Sequence, residues 1–158
     1  PGNSILKEMV ELYNSKNEEC NIISVNDVEA EEVSKYGCIG IKSQNGNIIE
    51  INDMVEKPKK ENAPSNTVIT GRYIFQPKIF ELLENTKAGK NEEIQLTDAM
   101  KTLMKTNKFY GLKFDKSERF DCGTPPGFLK ANIAYAIDKK DMKEEMKNII
   151  KEFYNIIK

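Results

Sequence analysis

Short runs rich in β-branched residues alternate with amphipathic helical segments along the whole of this 158-residue chain. Apolar residues recur at helical spacing in residues 3–15, 95–106 and 142–157, with charged residues between them. The runs at residues 22–25 and 67–75 instead have the β-branched and aromatic composition of strands. Interleaved strands and helices indicate an α/β fold, and a chain of this length can bury a core of its own.

A β-hairpin is predicted in the first third of the chain. The apolar residues 38–41 and 48–51 flank the pair Asn45-Gly46, and an Asn-Gly pair is a strong signal for a tight hairpin turn. Hairpin strands are antiparallel. We therefore expect a mixed sheet flanked by helices rather than a purely parallel sheet.

Prolines and polar residues predict where several other segments begin and end. The proline-bounded segment 58–64 is expected to be an exposed loop, because proline cannot pair inside a sheet. Thr124 followed by Pro125 predicts the start of a helix, and Thr97 or an earlier polar residue is expected to cap the helix at 95–106. A short additional strand is expected at residues 119–122.

Composition and charge exclude several classes of protein. Hydrophobic residues make up 39% of the chain and charged residues 31%, which is typical of a globular rather than a disordered protein. The 24 Lys and Arg residues are balanced by 25 Asp and Glu residues, so a dedicated nucleic-acid binder is not expected. No apolar run is long enough for a transmembrane helix. We expect a soluble protein that contacts neither nucleic acid nor membrane.

The absence of histidine limits the chemistry that the chain can perform. It excludes Ser-His-Asp and Cys-His arrangements and the HExxH zinc site. Cys20, Cys38 and Cys122 show no CxxC spacing, so neither a disulfide framework nor a zinc knot is predicted, and a reducing cytoplasm is the expected compartment. Any catalysis must use carboxylates, lysines, backbone amides and a hard metal ion.

The first candidate site is Glu56-Lys57-Pro58, where a predicted strand meets the proline loop. Consecutive strand residues point to opposite faces, so Glu56 and Lys57 can serve one ligand only if the strand ends there and the chain turns. Pro58 predicts such a turn and an extended Lys57. A carboxylate accepts hydrogen bonds from two sugar hydroxyls, and an ammonium group binds phosphate. The alternative is an exposed ion pair of little energetic consequence.

The second candidate site is Asp121, at the end of a predicted strand and close to the predicted helix start after Gly123. Ligands of open α/β sheets bind outside the carboxyl ends of the strands. A carboxylate there could hold magnesium, which is typically bound by one or two protein carboxylates, water and substrate phosphates. The alternative is an aspartate that accepts hydrogen bonds from turn amides.

Two glycines and one charged face also need interpretation. Gly37 and Gly71 each lie at a strand edge, which indicates either a β-bulge or a place where a ligand approaches the backbone. The lysine-rich face of residues 139–151 is interpreted as solvated surface. The Met and aromatic stripe opposite it is either core or a subunit contact.

Six segments resemble, in order and spacing, the bacterial UTP-glucose-1-phosphate uridylyltransferases. One such motif would be weak, but six in series are specific, and the similarity extends from the first predicted helix to Ala136. The segments are Ser34-Lys35-Tyr36-Gly37, Val55-Glu56-Lys57-Pro58, Ala63-Pro64-Ser65-Asn66, Gly71-Arg72-Tyr73, Glu93-Ile94-Gln95-Leu96-Thr97-Asp98-Ala99 and Phe120-Asp121-Cys122-Gly123.

The resemblance implies the C-terminal portion of a Rossmann-like nucleotidyltransferase fold. It implies a magnesium-dependent reaction of UTP with glucose 1-phosphate that gives UDP-glucose and pyrophosphate. Glu56 matches the residue that binds glucose hydroxyls, Lys57 the one that contacts the phosphate, and Gly37 a glycine beside the sugar. Asp121 resembles the second metal-holding aspartate, Gly71 is expected to border the sugar pocket, and Lys57 and Asp121 are the expected catalytic residues.

The resemblance also implies what is missing and how the chain is organised. The family's glycine-rich nucleotide loop and its Gly-Asp-Asp turn have no counterpart in these 158 residues. Such loops hold phosphates with backbone amides, so we expect the C-terminal half of an enzyme, inactive in isolation. Residues 1–138 are expected to form the sugar-phosphate-binding portion and residues 139–158 a C-terminal amphipathic helix.

Two alternatives to this function remain open at the level of sequence. The chain could be a non-catalytic oligomerisation or regulatory subunit that uses its C-terminal helix, or a related transferase that takes another sugar phosphate. The expected partners are glucose 1-phosphate, UTP, UDP-glucose and a second copy of the chain.

Overall fold

The structure is a computed structural model that describes residues 4–87, 93–114, 120 and 122–157. The chain divides into two compact units between residues 116 and 117. We call the described residues from 4 to 114 the sheet unit and the described residues from 120 to 157 the C-terminal unit. The two units are described separately.

The described part of the sheet unit contains three α-helices and five strands. The helices are α1 (Ile5–Ser15), α2 (Lys78–Asn85) and α3 (Leu96–Leu103). The strands are β1 (Cys20–Asp27), β2 (Gly37–Asn45), β3 (Ile48–Glu56), β4 (Thr67–Ile74) and β5 (Lys108–Lys113). The helices and strands predicted in this part of the chain are therefore confirmed.

The five strands form one mixed sheet, as the hairpin signal predicted. They pair in the order β1, β4, β2, β3, β5, and β5 returns to β1, so the sheet closes on itself. Only β1 and β5 run parallel, and the other pairs are antiparallel. The hairpin turn consists of Gly46 and Asn47, with Gly46 at φ 59°. A glycine at the first turn position permits this positive φ without steric cost.

The core of the sheet unit lies between the closed sheet and helices α2 and α3. β1 is buried along almost its whole length, because it pairs with β4 on one side and β5 on the other. Phe109 is the largest fully buried side chain, and α3 contributes Ala99, Met100 and Leu103 to the same cluster. Helix α1 packs Met9 into a second cluster. Apolar residues that recur at helical spacing in α1 and α3 are therefore among those buried in the core.

The described part of the C-terminal unit consists of two helices, α4 (Pro125–Asp138) and α5 (Lys143–Ile157). The predicted helix start is confirmed, because the Oγ1 atom of Thr124 accepts a hydrogen bond from the N–H of Gly127 at 3.3 Å. The ring of Phe120 lies 6.1 Å from that of Tyr135 on α4. Among the described residues, no helix is both long and apolar enough to span a membrane.

Two predictions, one about a loop and one about a strand, need correction. The segment 58–64 is a loop with a short 3-10 turn at Lys60–Asn62, but Pro58 is buried rather than exposed. The strand expected at residues 119–122 is wrong for Phe120 and Cys122, neither of which is in a strand. Arg119 and Asp121 lie outside the described residues. The segment has only two apolar residues, Phe120 and Cys122, alternating with two charged ones, and so short an alternation is a weak strand signal.

Candidate functional site

The start of β2 and the end of β3 bring two of the predicted site residues together. Gly37 is the first residue of β2 and pairs directly with Glu56, the last residue of β3. The N–H of Lys57 donates to the carbonyl oxygen of Tyr36 at 3.1 Å, so the pairing continues one residue past the strand. Residues about 20 positions apart in sequence thus become neighbours, because the hairpin returns the chain to its starting edge.

Lys57 has a backbone conformation that corrects the sequence prediction. We expected Pro58 to hold Lys57 extended, but Lys57 has φ 40°, in the left-handed region. The alternation of side chains along β3 ends at this residue. The side chains of Glu56 and Lys57 therefore approach each other, with Nζ 3.9 Å from Oε1, instead of pointing to opposite faces.

The two carboxylate oxygens of Glu56 have different neighbours. Oε2 accepts a hydrogen bond from the hydroxyl of Thr97 at 2.5 Å. Oε1 lies 3.9 Å from the amine of Lys57, which is an ion-pair distance but too long for a hydrogen bond. The side chain of Lys57 is 63% exposed, so this pair contributes little to stability. Oε1 and the amine are thus available to a ligand.

Gly37 provides the space that the Glu56 carboxylate occupies. A Cβ atom at position 37 would lie 3.0 Å from Oε2 of Glu56 and 3.4 Å from Oγ1 of Thr97. It would also lie 3.2 Å from Cδ1 of Ile69 on β4. A larger residue would therefore displace the hydrogen-bonded carboxylate or Ile69.

The charge of Glu56 influences two side chains on neighbouring strands. Burial, with a smaller contribution from the Glu56 carboxylate, raises the pKa of the Cys38 thiol to about 11. The same causes, in the same order, raise the pKa of the Tyr73 hydroxyl. Tyr73 stacks on Phe75, with ring centroids 5.1 Å apart.

Gly71 lies in a bulge of β4, one of the two interpretations that its sequence position allowed. Ile23 pairs with Tyr73 and Val25 with Ile69, so three β4 residues face the single β1 residue between them. Gly71 has φ 83°, and an added Cβ would meet no atom within 4 Å. Ile69, two residues before Gly71, borders the Glu56 site, because its Cδ1 would lie 3.2 Å from a Cβ added at Gly37. The bulge thus places Gly71 on β4 two residues from Ile69, which borders the Glu56 site.

Asp121 lies outside the described residues, so its predicted role in a metal site stays a prediction. Across residues 4–87, 93–114, 120 and 122–157, no group of three His, Cys, Asp or Glu side chains could hold a metal ion. Magnesium typically uses only one or two protein carboxylates, so this finding does not test the role predicted for Asp121. That Asp121 meets Glu56 and Lys57 around one ligand also stays a prediction.

Thr97 is a site residue whose role sequence reasoning missed. We expected Thr97 or an earlier polar residue to cap α3; Gln95 occupies the N-cap position, and its side chain makes no capping bond. Thr97 is buried, on the face of α3 that carries Met100. A hydroxyl on an apolar helix face needs a hydrogen-bond partner. That signal was present in the sequence, but the partner was not readable from it.

Comparison with known proteins gives consistent matches. The family model described as "Nucleotidyl transferase" matches residues 2–137. A UTP–glucose-1-phosphate uridylyltransferase of Pseudomonas aeruginosa is 46% identical over 135 residues, which are 85% of this chain and 47% of the relative. The chain thus spans about half the length of the curated relatives that it matches.

Two solved structures show the same fold. A UDP-glucose pyrophosphorylase complexed with UDP-glucose is 44% identical, with a TM-score of 0.78 over 87% of this chain and 51% of that chain. A UTP-bound enzyme of the same name from Acinetobacter baumannii is 34% identical, with a TM-score of 0.81 over 96% of this chain and 52% of that one. These matches confirm the resemblance predicted from the motifs and the expected fold class. The chain belongs to the nucleotidyl transferase family.

Proposed function

We propose that this chain is the sugar-phosphate-binding part of a UTP–glucose-1-phosphate uridylyltransferase. The observation that carries the proposal is the turn at Lys57, which brings a carboxylate and an amine to one side of the end of β3. Two relatives or solved homologues carry this activity or its product in their names. In the proposed site Glu56 accepts hydrogen bonds from glucose hydroxyls and Lys57 binds the phosphate. Gly37 and Gly71 border the sugar.

The charges of the site suit a sugar phosphate better than either a sugar or a phosphate alone. A carboxylate next to an anion would repel it, but Lys57 lies on the Oε1 side of Glu56 and is largely exposed. Hydroxyls and phosphate then have separate partners within one small region.

In the complete protein, an oxygen of the glucose 1-phosphate phosphate group would attack the α-phosphorus of UTP in line. A new phosphorus–oxygen bond forms, the bond to pyrophosphate breaks, and the electron pair leaves with pyrophosphate. Lys57 would reduce the repulsion between the two phosphates, and binding would align them. A magnesium ion held by Asp121 would add charge neutralisation to this reaction.

We further propose that the 158-residue chain has no turnover of its own. The sequence lacks the glycine-rich loop that the family uses for nucleotide phosphates. A coupled assay of pyrophosphate release should therefore stay at background with UTP, glucose 1-phosphate and magnesium. Turnover typical of an enzyme would contradict this part of the proposal.

Binding of glucose 1-phosphate to the purified chain tests the proposed site directly. Titration calorimetry should show binding by the wild type, and Glu56→Gln and Lys57→Met should each weaken it about tenfold or more, because each removes a charged hydrogen-bond partner. Lys59→Met and Glu61→Gln alter exposed charges of the adjacent loop and serve as matched controls. A panel of other sugar 1-phosphates identifies the preferred hexose. Absence of binding by the wild type would refute the proposed function.

We also propose that the chain forms a homo-oligomer in the cytoplasm. All three cysteines are free, which fits a reducing compartment. Helix α5 leaves Ile149, Phe153 and Ile156 exposed, and such apolar stripes are frequent in subunit contacts. Light scattering after gel filtration should give a mass above that of one chain, and Phe153→Glu should lower it.

A further inference from the structure

We propose that Thr97 is a positioning residue that orients the Glu56 carboxylate for the sugar, an inference that rests on the proposed function of this site. Thr97 belongs to α3 and Glu56 to β3, 41 residues apart in sequence. The hydroxyl of Thr97 would not touch the sugar. It would act by holding one oxygen of Glu56 and leaving the other for the ligand.

The hydrogen bond from Thr97 has the geometry of a positioning contact. Oγ1 of Thr97 donates to Oε2 of Glu56 at 2.5 Å, a short distance of the kind that charged acceptors favour. Thr97 is only 6% exposed, whereas the side chain of Glu56 is 26% exposed. The donor is thus buried and the acceptor reaches the surface. A buried, β-branched donor has little rotational freedom and fixes its partner well.

Helix α3 does not use the Thr97 hydroxyl to cap its own N-terminus. Thr97 is the second residue of α3, and threonines near helix starts commonly bond to backbone N–H groups as caps. Here Gln95 holds the N-cap position and makes no side-chain capping bond. The Thr97 hydroxyl bonds to the carboxylate on another element instead.

Helix α3 is attached to the sheet by other contacts. Ala99, Met100 and Leu103 are buried in the main core, and Lys101 forms an ion pair with Asp53 of β3 at 2.7 Å. Apolar burial of this extent holds a helix in place without one more hydrogen bond. The hydrogen bond from Thr97 is therefore not needed to hold α3 on the sheet, and it can orient the Glu56 carboxylate.

The consequence for binding is preorganisation. A glutamate with two free oxygens has several side-chain conformations, and a sugar must select one of them at an entropic cost. With Oε2 held by Thr97 and Gly37 offering no Cβ, the carboxylate has one arrangement, in which Oε1 lies on the Lys57 side. Sugar hydroxyls then meet an acceptor that is already placed.

The test compares Thr97→Val with Thr97→Ser in the full 158-residue chain. Valine keeps the shape and removes the donor, whereas serine keeps the donor. Calorimetry with glucose 1-phosphate should show about a tenfold loss of affinity for Thr97→Val and wild-type affinity within twofold for Thr97→Ser. Lys101→Met is the matched control, because it breaks another α3–β3 link without touching Glu56. Thermal unfolding of each variant checks that the fold is retained.

A spectroscopic measurement separates this inference from the proposed function. The side-chain carboxyl ¹³C resonance of Glu56, assigned with Glu56→Gln, should move in Thr97→Val and keep its position in Thr97→Ser and Lys101→Met. If the wild type binds glucose 1-phosphate and Thr97→Val binds equally well, the inference is wrong and the proposed function stands. If the wild type does not bind, the proposed function is wrong. An unmoved Glu56 resonance in Thr97→Val would by itself overturn the inference.

Discussion

The sheet unit and the C-terminal unit differ in what they do with large apolar side chains. In the sheet unit Phe109 is fully buried, along with most of the isoleucines of β1, β2 and β3. In the C-terminal unit Phe153 is 61% exposed and Tyr135 67% exposed, and α5 is exposed over almost its whole described length. The sheet unit therefore has a core of its own, while the C-terminal unit presents apolar surface.

The difference shows where a precise site can be built. Glu56, Lys57 and Thr97 are placed by strand pairing and by a helix anchored in a buried core. Side chains held by such surroundings keep one geometry, which ligand binding requires. The exposed apolar residues of the C-terminal unit suit contact with another surface instead.

Matched truncations of phenylalanine should give the largest difference between the units. Phe109→Ala leaves a cavity in the main core and should lower the free energy of unfolding by about 3 to 5 kcal/mol. Phe128→Ala removes a ring that is 60% exposed on α4 and should change it by about 0.5 kcal/mol or less. Urea unfolding followed by circular dichroism measures both. Similar losses of unfolding free energy in the two variants would contradict the conclusion that the first ring is buried and the second exposed.

The buried thiol of Cys38 should make the sheet unit sensitive to alkaline pH. Its pKa is about 11 in the folded state against 9.0 as a reference, so between these values the unfolded chain loses the proton first. Stability is thus fully present below pH 9 and falls as the pH rises to 11, by about 2 to 3 kcal/mol. Cys38→Ala should remove the contribution of this thiol to the fall of the unfolding free energy with rising pH.

Urea unfolding at pH 8, 9, 10 and 11 provides the measurement for Cys38. Cys122→Ser, at an exposed position of the C-terminal unit, is the control and should keep the wild-type slope. An unchanged slope in Cys38→Ala would show that this thiol does not contribute.

The left-handed backbone of Lys57 should cost stability at the proposed site. Lysine at φ 40° is strained, whereas asparagine tolerates this region. Lys57→Asn should raise the free energy of unfolding by about 1 kcal/mol while weakening the binding of glucose 1-phosphate. Lys59→Asn, at φ −64°, should do neither. An equal rise of the unfolding free energy in Lys57→Asn and Lys59→Asn would mean that relief of backbone strain at Lys57 is not its cause.

Removal of residues 139–158 should have the smallest effect on the sheet unit. The cores that surround β1 consist of sheet-unit residues, so hydrogen exchange of β1 amides should stay as slow as in the full chain. Faster exchange in β1 would show that α5 supports the sheet. The same truncation tests the proposed division at residue 138, because binding of glucose 1-phosphate should persist without α5.

Most of the fold was predictable because its signals are local. The helical spacing of Ile5, Met9 and Tyr13 and the Thr124-Pro125 start each specify an element within a few residues. The hairpin was predictable from the Asn45-Gly46 pair. Closure of the sheet through β5 and β1 was not, because it depends on the pairing of strands distant in sequence.

The candidate site was predictable in part, through the motif around Glu56. The prediction of an extended Lys57 was wrong: its N–H still donates to Tyr36, but its φ of 40° ends the strand. Thr97 was assigned to capping because its partner lies on another element. Asp121 lies outside the described residues, and its role stays a prediction.

The sequence by itself determined the types of element, the family and the residues available for chemistry, because periodicity, turn residues and motifs are all local properties. Only the tertiary structure decided that Lys57 turns toward Glu56 and that Thr97 holds the carboxylate where Gly37 leaves space. Those contacts exist because a hairpin and a packed helix bring distant residues within hydrogen-bond reach, and no local preference specifies such a meeting.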